Sequence, residues 1–420
     1  MDNGAGRGIF GRMSNDTNIA IVGGGLAGGA TALALARAGL SVTLLDAAPR
    51  AVLDDPAFDG RSYAMALAST RLLRNLGLWD ALEAHAQPMQ EIKVTDGRVG
   101  DAAVALGLHF DAAELEEGPM GYMIEDRHLR RAMLDRLDAT PGITIRNETR
   151  VTGQSVGDSG ATLTLADGTT LSADLVVGAD GRQSGTAQRA GIGRTGWDYP
   201  QTALVCAIAH ERPHHGVAHQ LFLPSGPLAI LPLTGNRSSI VWSERRGLAE
   251  EIDRLSDAEY LSVLRPRFGD FLGEISLAGA RYTYPLNLTL AQSFTAPRVA
   301  LVGDAAHGIH PIAGQGLNAG LRDVAALAHV LTAARRRGEA IGSDAVLDRY
   351  ARWRRFDTAA LGMATDLFNR LFSNDSALLR TARDLGMMAV NRLPSLRRGF
   401  MREAAGLNGD LPDLMARDMT

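Results

Sequence analysis

The segment between residues 18 and 46 constrains the fold more than any other part of the chain. A short apolar strand, Asn18–Val22, leads into a glycine loop that opens an Ala- and Leu-rich helix over Leu26–Ala38. A second apolar strand follows at Ser41–Asp46. This order within about 30 residues predicts a βαβ unit, in which the two strands lie parallel in one sheet. The chain is therefore predicted to be an α/β protein.

Two patterns later in the chain predict further strands. Ile143–Val151 follows a Pro-Gly turn and is predicted to be one strand. Thr162–Leu165 and Thr170–Ser172 flank an Asp-Gly turn, which predicts a hairpin.

The glycine loop has the spacing Gly23-x-Gly25-x-x-Gly28, which is typical of dinucleotide-binding turns. Gly23 permits the tight turn, Gly25 lets the backbone approach a pyrophosphate, and Gly28 lets the helix pack close to the strand. The helix N-terminus adds unpaired N–H groups for phosphate. Asp46 ends the second strand, where a carboxylate can accept hydrogen bonds from a ribose. This motif predicts a dinucleotide without distinguishing FAD from NAD; a glycine turn without a ligand is the alternative.

Composition excludes several other classes of protein. At 420 residues, with 45% hydrophobic and 21% charged residues, the chain is predicted to be globular with two domains. Its single cysteine, Cys206, excludes an internal disulfide, and its net charge of −4 argues against nucleic acid as a partner. No run reaches the ~18 apolar residues of a membrane span. We expect residues 1–17, which lack an apolar signal region, to be a disordered tail.

Two later segments combine glycines with an acidic residue after an apolar strand. The first is Gly178-Ala-Asp180-Gly181, and the second is the strand Arg298–Gly303 followed by Asp304. A carboxylate at the carboxyl end of a strand lies where ligands bind in open α/β sheets. Pro311-Ile-Ala-Gly314-Gln315-Gly316-Leu-Asn318 then opens a helix, so its N–H groups can stabilise negative charge on a ligand. Pro311 would stiffen this loop, although a turn is an equally good reason for a proline.

The glycine loop is the first motif, the Asp180 segment is the second, and the segment from Arg298 to Asn318 is the third. In this order and spacing, the three motifs resemble those of the FAD-dependent aromatic hydroxylases of the para-hydroxybenzoate hydroxylase type. Within that family the sequence is most similar to the ubiquinone-biosynthesis hydroxylases. The similarity extends over nearly the whole chain after the tail. It is carried by Asp59-Gly-Arg61-Ser-Tyr-Ala-Met-Ala-Leu, Leu76-Gly-Leu-Trp79, Pro232-Leu-Thr-Gly-Asn236-Arg-Ser-Ser and Gly406-Leu-Asn-Gly-Asp-Leu-Pro412.

The resemblance implies an FAD-binding Rossmann-like domain of the glutathione-reductase type. An antiparallel-sheet substrate domain interrupts it, and a helical part follows at the C-terminus. The predicted FAD-binding domain comprises residues 18–74, 98–195 and 285–340, and the predicted substrate domain comprises 75–97 and 196–284. The alternating pattern from Gly196 to Tyr284 supports this sheet. Residues 341–420 form the predicted C-terminal helical region.

The resemblance also implies a reaction. NAD(P)H or another electron donor reduces FAD, O₂ is the co-substrate, and a flavin hydroperoxide transfers oxygen to a polyprenylated phenol or quinol. Arg61 and Pro311 are the candidate catalytic residues beside the flavin, which itself carries the chemistry. The candidate cofactor-binding residues are Gly23, Gly25, Gly28, Asp46, Arg61, Arg127, Asp180, Gly303, Asp304, Pro311, Gly314, Gln315, Gly316 and Asn318.

Some features depart from this pattern or do not add to it. The arginine that relatives carry seven positions after Asp180 is Ala187 here, so the resemblance does not define the NAD(P)H site. A histidine cluster has no completing carboxylate or cysteine pattern, and we predict no metal site. The clustered histidines are His210, His214, His215 and His219.

A prenylated substrate resides in a membrane, so we expect a cytoplasmic enzyme with peripheral contact to the inner membrane face. The segment Leu393–Leu414 is the candidate surface, because Arg397, Arg398 and Arg402 lie beside Leu396, Phe400 and Met401. Packing of this helix on the protein body is the alternative. Other ubiquinone-biosynthesis proteins are candidate partners.

Two other functions remain open from the sequence. One is a flavoprotein of the same fold that acts on another aromatic or isoprenoid substrate. The other is a non-catalytic flavin-binding subunit of a biosynthetic complex.

Overall fold

The computed structural model describes residues 17–96, 107–115, 117–308, 315–355, 357 and 393–417. The predicted N-terminal tail, except Thr17, lies outside these ranges. Numbered along the chain, the strands are β1 (Thr17–Val22), β2 (Val42–Leu45), β3 (Ser62–Ala66), β4 (Ala86–Pro88), β5 (Glu91–Asp96), β6 (Gly107–Asp111), β7 (Gly121–Glu125), β8 (Ile143–Arg146), β9 (Val151–Gly157), β10 (Gly160–Leu165), β11 (Thr170–Gly178), β12 (Arg194–His210), β13 (Val217–Leu223), β14 (Gly226–Leu233), β15 (Arg237–Arg245), β16 (Ile275–Leu277), β17 (Tyr282–Ala291), β18 (Thr295–Ala296), β19 (Val299–Leu301) and β20 (His307–Gly308).

The helices lie between these strands and make up the C-terminal part of the described chain. They are α1 (Leu26–Arg37), α2 (Arg50–Leu53), α3 (Leu67–Asn75), α4 (Trp79–Leu82), α5 (Asp126–Asp138), α6 (Gly185–Arg189), α7 (Arg246–Asp253), α8 (Asp257–Phe268), α9 (Gln315–Arg336), α10 (344–355), α11 (Pro394–Ala404) and α12 (Asp413–Ala416). The last three are the described portion of the predicted C-terminal helical part.

The first sheet contains the predicted βαβ unit. Its order is β18-β19-β11-β1-β2-β8, and β19, β11, β1, β2 and β8 run parallel. Helix α1 packs between α9 and α5 and buries a run of small and aliphatic side chains from Gly28 to Leu35. β10 and β11 form the predicted antiparallel hairpin. The α/β fold class is thus confirmed.

The predicted strand over Ile143–Val151 is wrong in one respect. β8 ends at Arg146 and β9 begins at Val151, and the two strands lie in different parts of the sheet. The intervening turn contains Glu148 at a φ of 53°, which a continuous strand does not tolerate. Propensity alone did not reveal this break, because the turn contains neither glycine nor proline.

The second sheet has the order β20-β17-β12-β15-β14-β13-β5-β6. All its pairs are antiparallel except β13 with β5. One face of β12 points Leu204, Cys206 and Ile208 into a core with α7 and α8. β6 belongs to this sheet because it pairs with β5, although the predicted boundaries assign residues 98–195 to the first domain. The remaining predicted boundaries stay predictions.

Asn318 joins helix α9 to the small third sheet formed by β3, β7 and β4. Its side-chain oxygen accepts from the Ala66 backbone N–H at 2.9 Å, and its amide nitrogen donates to the Ala64 carbonyl at 2.8 Å. The side chain therefore satisfies two backbone groups at the end of β3. Its side chain thus holds two elements of the fold together, and the predicted contact of Asn318 with a cofactor stays a prediction.

We expect Asn318→Ala to lower the free energy of unfolding by about 1–3 kcal/mol, because it leaves the buried Ala66 N–H unpaired. Urea unfolding of the apoprotein measures this change. Asn236→Ala is the control, since that side chain is exposed and donates only to the Glu211 carbonyl. Equal stability of the two variants would contradict the assigned role of Asn318.

Candidate active site

The three sequence motifs meet at one edge of the first sheet. Adjacent parallel strands β19, β11, β1 and β2 end one to three residues before Asp304, Asp180, the glycine loop and Asp46, respectively. β19 and β2 are three strand spacings apart, or about 14 Å at ~4.8 Å per spacing. Asp304 and Asp46 therefore cannot bind one small group, but they can bind the two ends of an elongated ligand. The glycine loop lies between these ends.

Glycines allow these motifs to touch. A Cβ on Gly23 would lie 2.3 Å from the Ala179 carbonyl oxygen, and one on Gly28 would lie 1.9 Å from the Gly23 oxygen. Gly303 lies between Ala27 of α1 and Gly320 of α9, with a Cβ-to-Ala27 distance of 3.1 Å. Gly23 and Gly303 also have positive φ values of 106° and 62°. Side chains at these positions would push the motifs apart, as predicted for Gly23 and Gly28.

Two glycines at the helix starts face open space instead. Neither Gly25 nor Gly316 would bring a Cβ within 4 Å of another described residue outside its own neighbourhood. Gly25 is the N-cap of α1, and Gly316 lies in the first turn of the 22-residue helix α9. Both helix starts thus present backbone without an intervening side chain, which is the geometry that an anionic or electron-rich ligand requires. The residues present fit a bound dinucleotide.

Asp46 and Asp304 retain acceptor capacity for ligand hydroxyls. Asp46 accepts from the Gly24 N–H at 2.5 Å and the Ala48 N–H at 2.7 Å, which orients its carboxylate. Asp304 is about half exposed and pairs with Arg182 at 3.2 Å. An exposed pair of this kind is worth at most ~1 kcal/mol, so a ligand can replace it. Each carboxylate oxygen also has a second acceptor site.

The carboxylate of Asp180 is used within the protein. It accepts from the Ser184 hydroxyl at 2.5 Å and from the Thr186 N–H and hydroxyl at 2.9 Å. These bonds fix the turn into α6. The side chain predicted to bind cofactor therefore shapes the loop between the glycine motif and Asp304. Pro311 and Gly314 lie outside the described residues, as does the side chain of Gln315.

Arg61 lies between two carboxylates. Its guanidinium contacts Asp59 at 2.5 Å and Asp126 at 3.3 Å. The hydrogen bond to Asp59 raises the pKa of Arg61 further above its ordinary value despite partial burial. Its charge is thus permanent and largely neutralised locally. Arg61 can orient a polar group, but it is a poor sole partner for an anionic substrate.

Arg127 of α5 and Arg237 of the second sheet share one buried carboxylate of the third sheet. Glu125 accepts from Arg127 at 2.8 Å on one oxygen and from Arg237 of β15 at 2.6 Å on the other. Both guanidiniums lie over the Phe58 ring, at 5.3 and 5.0 Å. These contacts make Arg127 part of a clamp between α5 and the second sheet. Any contact of Arg127 with a cofactor stays a prediction.

The inner face of the second sheet supplies site residues that sequence reasoning missed. Val205 and Val241 are cross-strand neighbours, half-buried, and pack in a cluster with Ala319 in the second turn of α9. Tyr282 and Tyr284 pair with Val205 and Ala203 and extend this face. Burial raises the pKa of both tyrosines, so their hydroxyls are neutral at physiological pH. The alternation of β12 from Ala203 to Ala207 was the available signal.

Two histidines of the cluster noted in the sequence contact other groups of the protein. His210 bonds to the Arg212 carbonyl at 2.7 Å and to Ser238 at 3.0 Å, and the His219 ring packs 4.5 Å from Phe271. In the described part of the chain, no group of three or more His, Cys, Asp or Glu side chains is arranged to hold a metal. No described helix is long and apolar enough to span a membrane.

The chain is similar in sequence to known proteins over nearly its whole length. Residues 16–363 match the family model described as an FAD binding domain. Ubiquinone hydroxylase UbiL of Rhodospirillum rubrum is 46% identical over 97% of this chain and 94% of its own length. The 3-demethoxyubiquinol 3-hydroxylase of Escherichia coli is 38% identical over 94% of this chain and 100% of its own.

Among solved structures, p-nitrophenol 4-monooxygenase PnpA from Pseudomonas putida DLL-E4 superposes with a TM-score of 0.77. It covers 94% of this chain and 99% of its own at 23% identity, which supports the shared fold. The family match and the two relatives carry the assignment further than the fold. The chain belongs to the FAD-dependent aromatic hydroxylases, and within them to the ubiquinone hydroxylases, as its three motifs predict.

Proposed function

We propose that this enzyme hydroxylates the aromatic ring of a polyprenylated phenol in ubiquinone biosynthesis. The observation that carries the proposal is that the start of helix α9, which belongs to the third motif, packs against the inner face of the second sheet. Ala319 follows Gly316 by less than one helical turn and belongs to the hydrophobic cluster against which Val205 and Val241 pack. An aromatic ring on this apolar face would therefore lie beside the start of α9. FAD bound along the sheet edge supplies the oxygen-transfer chemistry there.

The proposed FAD site uses the whole carboxyl edge of the first sheet. Asp46 would accept from the adenosine ribose, and the backbone at Gly25 would approach the pyrophosphate. Asp304 would accept from the ribityl hydroxyls, and the N–H groups at the start of α9, near Gly316, would face the flavin ring. The positive end of this helix favours negative charge on the reduced cofactor. NAD(P)H or another donor supplies the electrons, and O₂ is the co-substrate.

The charge distribution favours a neutral phenol over a soluble aromatic acid. Within the described residues, the neighbours of Val205 and Val241 on this face are apolar, aromatic or small and polar, and Arg237, farther along β15, is paired with Glu125. Arg61 lies near Tyr282 and Tyr284 and is already paired with Asp59 and Asp126. A substrate carboxylate would have to break these pairs to gain a partner. A neutral ring with a prenyl tail has no such cost.

The experiment that tests the proposal is deletion of the gene followed by mass analysis of quinone precursors. We expect accumulation of a prenylated precursor that lacks one ring hydroxyl, and restoration by the wild-type gene. Unchanged quinone composition would contradict the pathway assignment. A non-catalytic subunit is excluded if the purified protein shows O₂-dependent NAD(P)H oxidation that a prenylated phenol stimulates.

Membrane contact is proposed to involve an apolar stripe, because two of the three arginines of the predicted basic patch are paired with carboxylates. Arg397 pairs with Glu114 at 2.8 Å and Arg402 with Glu117 at 2.9 Å, while Met401 is fully buried. Helix α11 therefore packs on the protein body through one face. Its other face carries a stripe of exposed side chains at helical spacing. These are Leu393, Leu396 and Phe400, which are 51%, 44% and 40% exposed.

We expect Gly25→Val to abolish FAD binding without unfolding the apoprotein. The φ of Gly25 is −67°, which valine tolerates, and no protein atom blocks the added side chain. Only a ligand would meet it. Isothermal titration with FAD and the thermal midpoint of the apoprotein measure the two properties.

Gly247→Val is the matched control, because Gly247 also faces open space but lies on α7. It should leave both properties unchanged. Gly28→Ala should behave oppositely to Gly25→Val and destabilise the apoprotein itself, since its Cβ would collide with the Gly23 backbone. Normal FAD affinity in Gly25→Val would remove the glycine loop from the proposed cofactor site.

We expect the protein to co-sediment partially with anionic liposomes and the variant Leu396→Asp/Phe400→Asp to lose this binding. The substitutions remove two exposed apolar groups and add negative charge, which anionic lipid repels. Val52→Asp/Val156→Asp is the control, because these exposed valines lie on α2 and β9. Equal sedimentation of both double variants and wild type would contradict the α11 surface.

A further inference from the structure

The short 3₁₀ turn that carries Asp304 is held by one fully buried carboxylate. Asp323 of α9 accepts from the Gly303 backbone N–H at 2.9 Å and contacts His307 Nε2 at 2.6 Å, both through Oδ2. Its Oδ1 accepts from Arg354 Nε at 2.6 Å. Asp323 and His307 have no exposed surface, and Arg354 is 1% exposed. A single side chain thus binds the start of the turn, His307 two positions after its end, and helix α10.

This carboxylate is charged in the folded protein. Burial opposes its ionisation, but the charges and hydrogen bonds of His307 and Arg354 outweigh burial and hold the pKa of Asp323 below its usual range. Arg354 in turn donates to Asp357 at 2.8 Å. An ionised carboxylate is a strong acceptor for the Gly303 N–H. The network therefore fixes the direction of that N–H group.

Helix α10 contacts the same region at a second point. The Tyr350 hydroxyl, one turn before Arg354, donates to the Leu301 carbonyl at 2.7 Å, immediately before the turn. From the other side, Arg194 donates to the Asp304 carbonyl at 3.0 Å and to the Ala305 carbonyl at 2.9 Å. The backbone on both sides of the Asp304 carboxylate is consequently fixed, while that carboxylate itself stays accessible.

We propose that Asp323 and Arg354 are positioning residues for the flavin half of FAD. They hold the Gly303–Ala305 turn so that the Asp304 carboxylate meets the ribityl hydroxyls; this inference rests on the proposed cofactor site. A buried ion pair seldom adds net stability over apolar packing, but it fixes geometry, because its hydrogen bonds have defined directions. Gly303 needs such fixing, since its φ of 62° is one of several that glycine adopts freely.

The test compares two ligands on the full-length apoprotein. FAD contacts both ends of the proposed site, whereas ADP reaches only the end formed by Gly25 and Asp46. Asp323→Asn should weaken FAD binding about tenfold or more, the effect of losing one charge-assisted hydrogen bond. Arg354→Lys should weaken it less, because a positive charge remains. ADP affinity should stay near wild type in both variants.

A purely structural role would lower the affinities for FAD and ADP together, and that result would overturn the proposal. Wild-type FAD affinity in both variants would overturn it as well. The controls Asp344→Asn and Arg352→Lys change exposed residues of α10 and should bind both ligands normally. If Asp323→Asn does not fold, Arg354→Lys and Tyr350→Phe carry the same comparison. The near-ultraviolet and visible circular dichroism of bound FAD adds a second readout, which should change in the positioning variants and not in the controls.

Asp304→Ala separates this inference from the function on which it rests. It should weaken FAD binding by about 10- to 100-fold with ADP unaffected. Wild-type FAD affinity in Asp304→Ala would contradict the proposed cofactor site itself. Weak binding in Asp304→Ala together with normal binding in Asp323→Asn and Arg354→Lys would contradict only the positioning role.

Discussion

Backbone contact between glycines is the constraint on which the rest of the site depends. Gly23 touches Ala179 and Gly28 touches the Gly23 carbonyl at distances that leave no room for a Cβ, and a Cβ on Gly320 would lie only 3.0 Å from the Gly303 Cα. These contacts bring the ends of β1, β11 and β19 to one edge together with the starts of α1 and α9. Because the contacts are made by backbone, the N–H groups at the two helix starts remain directed at the ligand. At Gly25 and Gly316, which begin these helices, a Cβ would meet no other described residue.

Three arginines near the site are already paired with carboxylates of the protein. Arg61 is neutralised by Asp59 and Asp126, Arg127 by Glu125, and Arg182 by Asp304. The apolar inner face of the second sheet lies next to this set of pairs. Such an arrangement suits a neutral aromatic ring better than an anionic one, and the backbone dipoles at the helix starts remain for the negative charge of a reduced cofactor. The proposed substrate class and the proposed cofactor thus make separate demands on separate parts of the site.

Local sequence predicted the parts of the structure that depend on local pattern. The βαβ unit, the β10–β11 hairpin and the placement of Asp46 and Asp304 after strands follow from spacing and periodicity. The roles of Asn318 and Asp323 did not, because they depend on distant partners. Asn318 bonds to residues 252 and 254 positions away, and no pattern around it indicates which backbone groups it will meet. The carboxylate partners of Arg397 and Arg402 were not predicted for the same reason, since Glu114 lies 283 positions before Arg397.

The central claim is that FAD bound at the edge of the first sheet places oxygen from O₂ on an aromatic ring held by the second. A single-turnover reaction under ¹⁸O₂ tests it most directly. The full-length protein is loaded with FAD, reduced, and mixed with a short-chain prenylated phenol in detergent before mass analysis of the product. The account predicts a ring-hydroxylated product that contains one labelled oxygen atom. Oxidation of the reduced protein that yields only hydrogen peroxide, or a hydroxylated product without label, would contradict it.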